Sequence, residues 1–465
     1  MKIHEVDDIF PLYGVQESLL FHYLMDPYSK SYHAMIYIEL DGDLNEKCAE
    51  QAFFLTVRNN FALRSVFHWN NIGKAVQVVK KNATHLFIKR VNDCVENTDE
   101  WFATEAEKIW LHNINIENAP YIFCLLISPP RRSAIIIKHH HILYDGWSNA
   151  IFINEFWENY RIVLNTTNGR DVNTVSEHAF LSTGNTCSAD KRSLIKDIPQ
   201  KLASESYDDI FSQKQYKIKS NETYKKLLIN KKTKSIESSI SYWQDYFSKY
   251  TWLSEKHTYN LEKNSYIKHS LHVNNELAQE VIALARRTNA SIVNIWSALI
   301  SYVMQNVLSC DDIVMGLVNS GRDVPIRGID SIIAMCVHTI PLLVKKIASN
   351  SDIIDVINKI RDDMINVIDY PIQSEHDIAK LFKRRTLFEF VINMLNYPVN
   401  EVNKITDCLN VNKWYSHEET SYPVCFFIKE ANGFEVFLQY EESALTTDQV
   451  KQIDMYFNEL RKMLV

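Results

Sequence analysis

Glycine is scarce: 10 residues in 465, where an average usage of about 7% would supply roughly 33. So few positions without a Cβ argue against a fold that depends on many Gly-rich phosphate loops. The cysteines Cys48, Cys94, Cys124, Cys187, Cys310, Cys336, Cys408 and Cys425 form no CxxC pair and no metal-ligand spacing. They read as buried reduced thiols, which points to the cytoplasm and away from a disulfide framework. No stretch reaches the ~18 apolar residues of a membrane span. The opening MKIHEVDDIFPLYG carries three acids in its first eight residues and no apolar h-region, so neither secretion nor a membrane is expected. Positive charge is not in excess either. With 50 Lys and Arg against 57 Asp and Glu, the formal charge is -7, which would repel a polyanionic backbone and excludes nucleic acid as the expected partner.

What remains is an ordinary globular composition, 46% hydrophobic and 23% charged. The length exceeds what one hydrophobic core usually spans, so two lobes are expected. Patterning gives an α/β class. Leu19, Leu20, Tyr23 and Leu24 recur at helical spacing in residues 15–25, and AMIYIELDGDL (34–44) alternates before an Asp41-Gly42-Asp43 turn. Further strands are expected at 75–79, 121–128 and 133–141. From about residue 165 to 219 the periodicity decays. This sets an N-terminal lobe at 1–165, an irregular linker or insertion at 166–222 and a C-terminal lobe at 223–465, with a second alternation of helices and strands and a closing helix at 447–464.

The run AIIIKHHHILYDGWS carries the chemistry. An apolar strand delivers His139, His140 and His141 into a turn with Asp145 and Gly146. Strand alternation puts His139 and His141 on one face and His140 on the other, so only one of the adjacent pair can enter a given cleft. A zinc site would need third and fourth ligands, and none stands nearby at a telling spacing, so no metal is expected.

His140-His141-Ile142-Leu143-Tyr144-Asp145-Gly146 resembles the HHxxxDG motif of condensation domains of non-ribosomal peptide synthetases. PLYGVQESLLFHYLMDP (11–27) is similar to that family's PLxPMQEGMLFHxLxDP opening, and NNFALRSVF (59–67) to its RHxxLRTxF segment. Tyr242-Trp243, GLVNSGRDVPIRGIDSIIAMCVHTIPLLV (316–344) and FEFVINMLNYP (388–398) continue the match in order. Departures are Ser18, Asn59-Asn60 for Arg-His, Asp323 after SGR, and His338 for Asn. The HHxxxDG superfamily implies two chloramphenicol-acetyltransferase-like α/β sandwich lobes in a V-shaped pseudo-dimer with a central tunnel. It implies donor and acceptor peptidyl carrier proteins as partners, each bringing a thioester on a phosphopantetheine arm, with no cofactor bound by the domain itself. The product is an amide, and the chain is a monomer or part of a larger synthetase.

By this resemblance His141 enters the tunnel and Asp145 and Gly146 complete the catalytic set, with His140, Arg64, Arg322, Trp147 and Ser148 in support. An ordinary imidazole (pKa about 6.5) deprotonating an ammonium of about 8 works uphill by roughly 2 kcal/mol, so positioning and late proton transfer are the expected roles of His141. Asp145, in the turn, calls for a cationic partner if buried, with Arg64 first and Arg322 second. Gly146 lets a thioester approach the backbone, and its N–H could face a developing oxyanion. Trp147 is expected to pack. The opening and DGWS resemble the branch joining a donor that ends in a D-residue to an L-acceptor. The alternatives are a stand-alone or terminal acyltransferase releasing its chain onto a free small amine or alcohol, and a non-catalytic module that recruits partners to a carrier. Lys217, Lys219, Lys225, Lys226, Lys231, Lys232 and Lys234, against the single acid Glu222, form either a solvated helix face or a docking field for an acidic carrier.

Overall fold

The structure is a computed structural model. It describes residues 5–70, 72–82, 85–92, 97–168, 220–232, 236–248, 250, 266–367, 370, 375–384, 387–395, 404–420 and 422–464. Its contacts divide the chain into two compact units, each assembled from separate stretches of sequence. The first holds Met1–Leu228, Val324–Cys336 and Tyr397–Thr420; the second holds Ile229–Asp323, Val337–Asn396 and Ser421–Val465. This differs from the expected contiguous lobe at 223–465, because two later segments return to the first unit.

From the N-terminus the elements are β1 (Val6–Pro11), α1 (Gly14–Met25), β2 (His33–Gly42), α2 (Glu46–Asn59), β3 (Ser65–His68), β4 (Val76–Lys80), β5 (Leu86–Val91), α3 (Thr98–Leu111), β6 (Tyr121–Ser128), β7 (Arg132–His140), α4 (Gly146–Asn168) and α5 (Ser220–Lys232). Residues 166–168 and 220–222 of the expected linker are therefore helical; 169–219 lie outside the described residues. Strands β1, β4 and β3 make a small antiparallel sheet in that order. Residues His33 to Leu40 of β2 are all buried, which is why AMIYIEL is so apolar: the strand is central in its sheet. Helix α2 starts at Asn45, whose side chain accepts from the Cys48 N–H at 3.1 Å. It turns Ala49, Ala52, Phe53 and Val57 inward, with Phe53 stacked on Phe123 of β6 at 4.0 Å.

The chain continues through α6 (Ile236–Tyr246), β8 (Tyr266–Leu271), α7 (Asn275–Thr288), α8 (Ile292–Leu308), β9 (Ile313–Asn319), β10 (His338–Val344), α9 (Asn350–Val367), α10 (Glu375–Leu381) and β11 (Phe390–Met394). It passes back through β12 (Lys404–Thr406) and β13 (Leu409–Glu418) and ends with β14 (Val424–Ala431), β15 (Gly433–Glu441) and α11 (Thr447–Glu459). The second unit carries a six-stranded mixed sheet, β10-β9-β11-β14-β15-β8. Its helices are capped as their sequences dictate: Asn274 accepts from Leu277 N–H, and Thr446 with Gln449 forms a capping box. Trp296, Ile300, Val303, Phe426 and Leu438 are fully buried in its core. Among the described residues, no single helix is long and apolar enough to cross a membrane.

The first unit's large sheet runs β12-β13-β2-β7-β6-β5, so its edge is completed by strands written more than 370 residues after β2 begins; Asn412 on β13 lies 373 positions beyond Glu39 and hydrogen-bonds it. Gly42 makes this docking possible. Its φ is +121°, and a Cβ there would stand 1.9 Å from the Cys408 carbonyl oxygen. The neighbouring Asp43 N–H donates to that same oxygen at 2.9 Å.

Candidate active site

Strand β7 lies between β2 and β6, with His139 opposite Ala34 and Tyr121, and His140 opposite His33. The two faces separate the histidines as alternation requires. His139 is fully buried, stacked on Tyr144 at 4.0 Å, and its ring is 5.4 Å from that of His141. On the other face, His140 packs edge-on to Tyr23 and His33, and its Nδ1 accepts from the Ile142 N–H at 3.1 Å. Burial, followed by the neighbouring charges of His141 and Lys138, pushes His140 down to about 3, so it is a neutral packing and turn-shaping residue at neutral pH. Burial likewise holds His139 far below the ordinary imidazole range.

His141 differs from both. It follows β7 in the turn, its side chain is 17% exposed, and its backbone N–H donates to Tyr32 O at 2.7 Å. Its Nε2 lies 3.4 Å from Oε2 of Glu418, the last residue of β13. The turn beyond is held from beneath by Gln16 of α1, fully buried, whose Nε2 donates to Ile142 O at 2.8 Å and to Gln77 Oε1 at 3.1 Å. Neither Glu418 nor Gln16 was assigned a role from sequence. Gln16 sits inside the QES match, where a signal existed. Glu418 lies in a polar stretch with no such mark.

Asp145 is the residue before α4 and caps it. Its Oδ1 accepts from the Ser148 N–H at 3.0 Å and the Ser148 hydroxyl at 2.8 Å, and its Oδ2 accepts from the Cys336 N–H at 2.9 Å. Ser148, fully buried, ties the same loop by accepting from the Ala334 N–H at 3.1 Å. These bonds fasten the turn to residues 334–336, the segment that returns to the first unit. The first expected partner of Asp145 is corrected here: Arg64 donates instead to Asp7 Oδ2 at 3.0 Å and to Lys80 O at 2.6 Å, because β1 and β4 close over it. Arg322 is buried and belongs to the second unit. Trp147 is half-buried and donates its indole N–H to Asp330 O at 3.2 Å. Gly146 opens α4, so its N–H is among those that a helix leaves without an intrahelical acceptor.

Two further expectations meet the structure here. Asn59 and Asn60, which replace an Arg-His pair, both donate to Glu155 of α4, at 3.2 and 2.7 Å. In the lysine-rich stretch, Lys225 is engaged internally, 2.6 Å from Asp8 and over the Phe10 ring at 5.8 Å. Lys217, Lys219 and Lys234 lie outside the described residues. A cavity of about 540 Å³, lined by Asn97, Thr98, Asp99, Ser128, Pro130 and Arg132, sits at the opposite end of β7 from the histidines and holds none of the residues above.

In fold, the chain is similar to the first condensation domain of the calcium-dependent antibiotic synthetase in complex with a substrate analogue, with a TM-score of 0.67, 14% identity, and coverage of 99% of this chain and 97% of that one. The condensation domain of the Monacolin K polyketide synthase MokA is also similar, with a TM-score of 0.64 and 10% identity over 99% of this chain and 98% of that one. At these identities the likeness is one of fold: two sheet-bearing α/β units. The condensation-domain family model matches residues 6–181 and 200–465. The chain belongs to the condensation-domain family, whose general function in non-ribosomal peptide synthetases is peptide-bond formation between carrier-bound substrates. The unmatched residues 182–199 fall within the stretch read as an insertion. Relatives include bacitracin synthase 1 of Bacillus licheniformis, 22% identical over 85% of this chain, and tyrocidine synthase 3 of Brevibacillus parabrevis, 21% identical over 97%. The chain spans only 7% and 6% of the lengths of those two relatives.

Proposed function

We propose that this chain transfers a donor acyl or peptidyl group from a carrier-bound phosphopantetheine thioester to an acceptor amine, with His141 as the group that meets the reacting nitrogen. The observation that carries the assignment is the difference among three consecutive histidines: His139 and His140 are sealed in the sheet, while His141 leaves it with an accessible ring. The amine nitrogen attacks the thioester carbonyl, the tetrahedral adduct collapses, and the arm's sulfur departs. The nitrogen's acidity rises steeply once the C–N bond forms, so the imidazole takes its proton late and can hand it to the leaving thiolate. Gly146 N–H, at the N-terminus of α4, supplies a donor for the adduct's oxyanion, where the helix end favours negative charge. Asp145 and Ser148 hold that helix start in place and take no part in proton transfer.

The acceptor is an amine borne on a second carrier, as peptide-bond formation between carrier-bound substrates requires, and the opening segment favours a D-configured donor end. His141→Ala should lower amide formation at least about a hundredfold. Circular dichroism should show the fold unchanged, since the ring stands in a turn beyond β7 and is partly exposed. A condensation assay with both carriers loaded checks this. Undiminished turnover would remove His141 from the chemistry, and turnover with a free small amine but not with a loaded acceptor carrier would replace the acceptor named here.

A further inference from the structure

Sheet register brings a carboxylate to the accessible member of the three consecutive histidines. Glu418 pairs with Ala34, and Ala34 pairs with His139, so the three side chains lie in a row on one face of β13, β2 and β7. His141 follows His139 by two residues on that same face. The middle of the row is a methyl group, which leaves the carboxylate free to reach across to Nε2, 3.4 Å away. The backbone fixes both partners to a single residue. Tyr32 donates its N–H to Glu419 O at 2.7 Å and accepts from His141 N–H at 2.7 Å, while Glu419 N–H donates to His33 O at 3.1 Å. Tyr32 has φ +63°, a left-handed conformation that a bulky side chain adopts at a cost of about 1–2 kcal/mol, so the surrounding bonds impose it.

We propose that Glu418 is a positioning residue for His141. This rests on the reading of His141 given above and deepens it. A neutral imidazole has one N–H and one lone pair, and a carboxylate can only accept. A carboxylate at Nε2 therefore selects the tautomer protonated there and leaves the lone pair on Nδ1, which no other described group bonds. It also balances the positive charge that the ring acquires when it takes the amine's proton. The arrangement is that of a base oriented by a third group.

The substitution Glu418→Gln keeps size and polarity but can present an N–H to Nε2 and favour the other tautomer. E418Q is expected to lower kcat at least about tenfold while KM for each loaded carrier and the melting temperature stay near wild type. Glu418→Asp should recover part of the loss. In ¹⁵N spectra of ring-labelled protein, wild type should show His141 protonated at Nε2 and E418Q a shift toward Nδ1 protonation. If E418Q keeps wild-type kcat while H141A is inactive, the positioning role is overturned and the reading of His141 stands. If H141A itself is fully active, that reading falls. A loss in E418Q that appears in KM or melting temperature with kcat intact would make Glu418 a structural residue and overturn the proposal.

Discussion

Asp145 spends all three of the bonds described above on neutral donors: two from Ser148 and one from the buried N–H of Cys336. Asp145→Ala removes a helix cap and leaves that N–H without its carboxylate, together worth about 2–4 kcal/mol. A melting temperature lowered by several degrees, with activity falling alongside it, is expected in a thermal-unfolding series. Asp145→Asn should cost less, since one oxygen still accepts. A D145A protein of wild-type stability would refute the capping role. The histidines of this site were legible because strand periodicity is a local rule, and it placed His139 beside His141 with His140 opposite. The partner of Arg64 was not, because the groups that claim the guanidinium, Asp7 and the Lys80 carbonyl, come from separate strands. One of these is β1, whose VDDIFP carries two acids and a proline and gives no strand signal.

At the scale of elements, β13 decides whether the sheet is finished, and it was not foreseen. Its LNVNKWYSHE is polar, and Lys413 to His417 are all exposed, so no alternation marks it; pairing, chiefly along β2, makes it a strand. Its companions β2, β6 and β7 were legible because burial forces apolar residues upon them. The Asp41-Gly42-Asp43 turn was legible as a turn but not as the seat for a later strand. Gly42→Ala would drive a Cβ into the Cys408 carbonyl, 1.9 Å from where it would stand, at a φ of +121°. The substitution is expected to destabilise the protein by at least about 2 kcal/mol and to reduce turnover by displacing Glu418 with β13. Urea unfolding and the carrier assay together check this; a G42A enzyme with unchanged midpoint and rate would show that β13 docks without help from that residue.

Over the whole molecule, histidines held neutral by burial make stability sensitive to acid, among them three that meet at the end of β7. His33, His139 and His140 are held neutral by burial first and by a neighbouring imidazole second, His140 for His33 and His141 for the other two; His140 is pushed down to about 3, and His33 and His139 also lie well below the ordinary range. In the unfolded chain each regains an ordinary value near 6.5. Below that pH the unfolded state binds protons that the native state refuses, so stability falls as pH drops from about 6.5 toward 3, by about 1.4 kcal/mol per pH unit for each histidine fully titrating. Urea midpoints should decline from pH 7 to pH 5, and His33→Phe should show a shallower decline; a flat profile would contradict the burial of these rings. The two-lobed α/β class was legible in length and alternation, but the division of the chain was not, since the membership of 324–336 and 397–420 depends on contacts with residues hundreds of positions earlier. That membership has a temporal side. A ribosome adding about 5–20 residues per second delivers Asn412 roughly 20–75 s after its partner Glu39, which is 373 residues upstream. Once β7 has paired with β2, the outer edge of β2 is left with open N–H and C=O groups until β13 is made, a template for any passing strand.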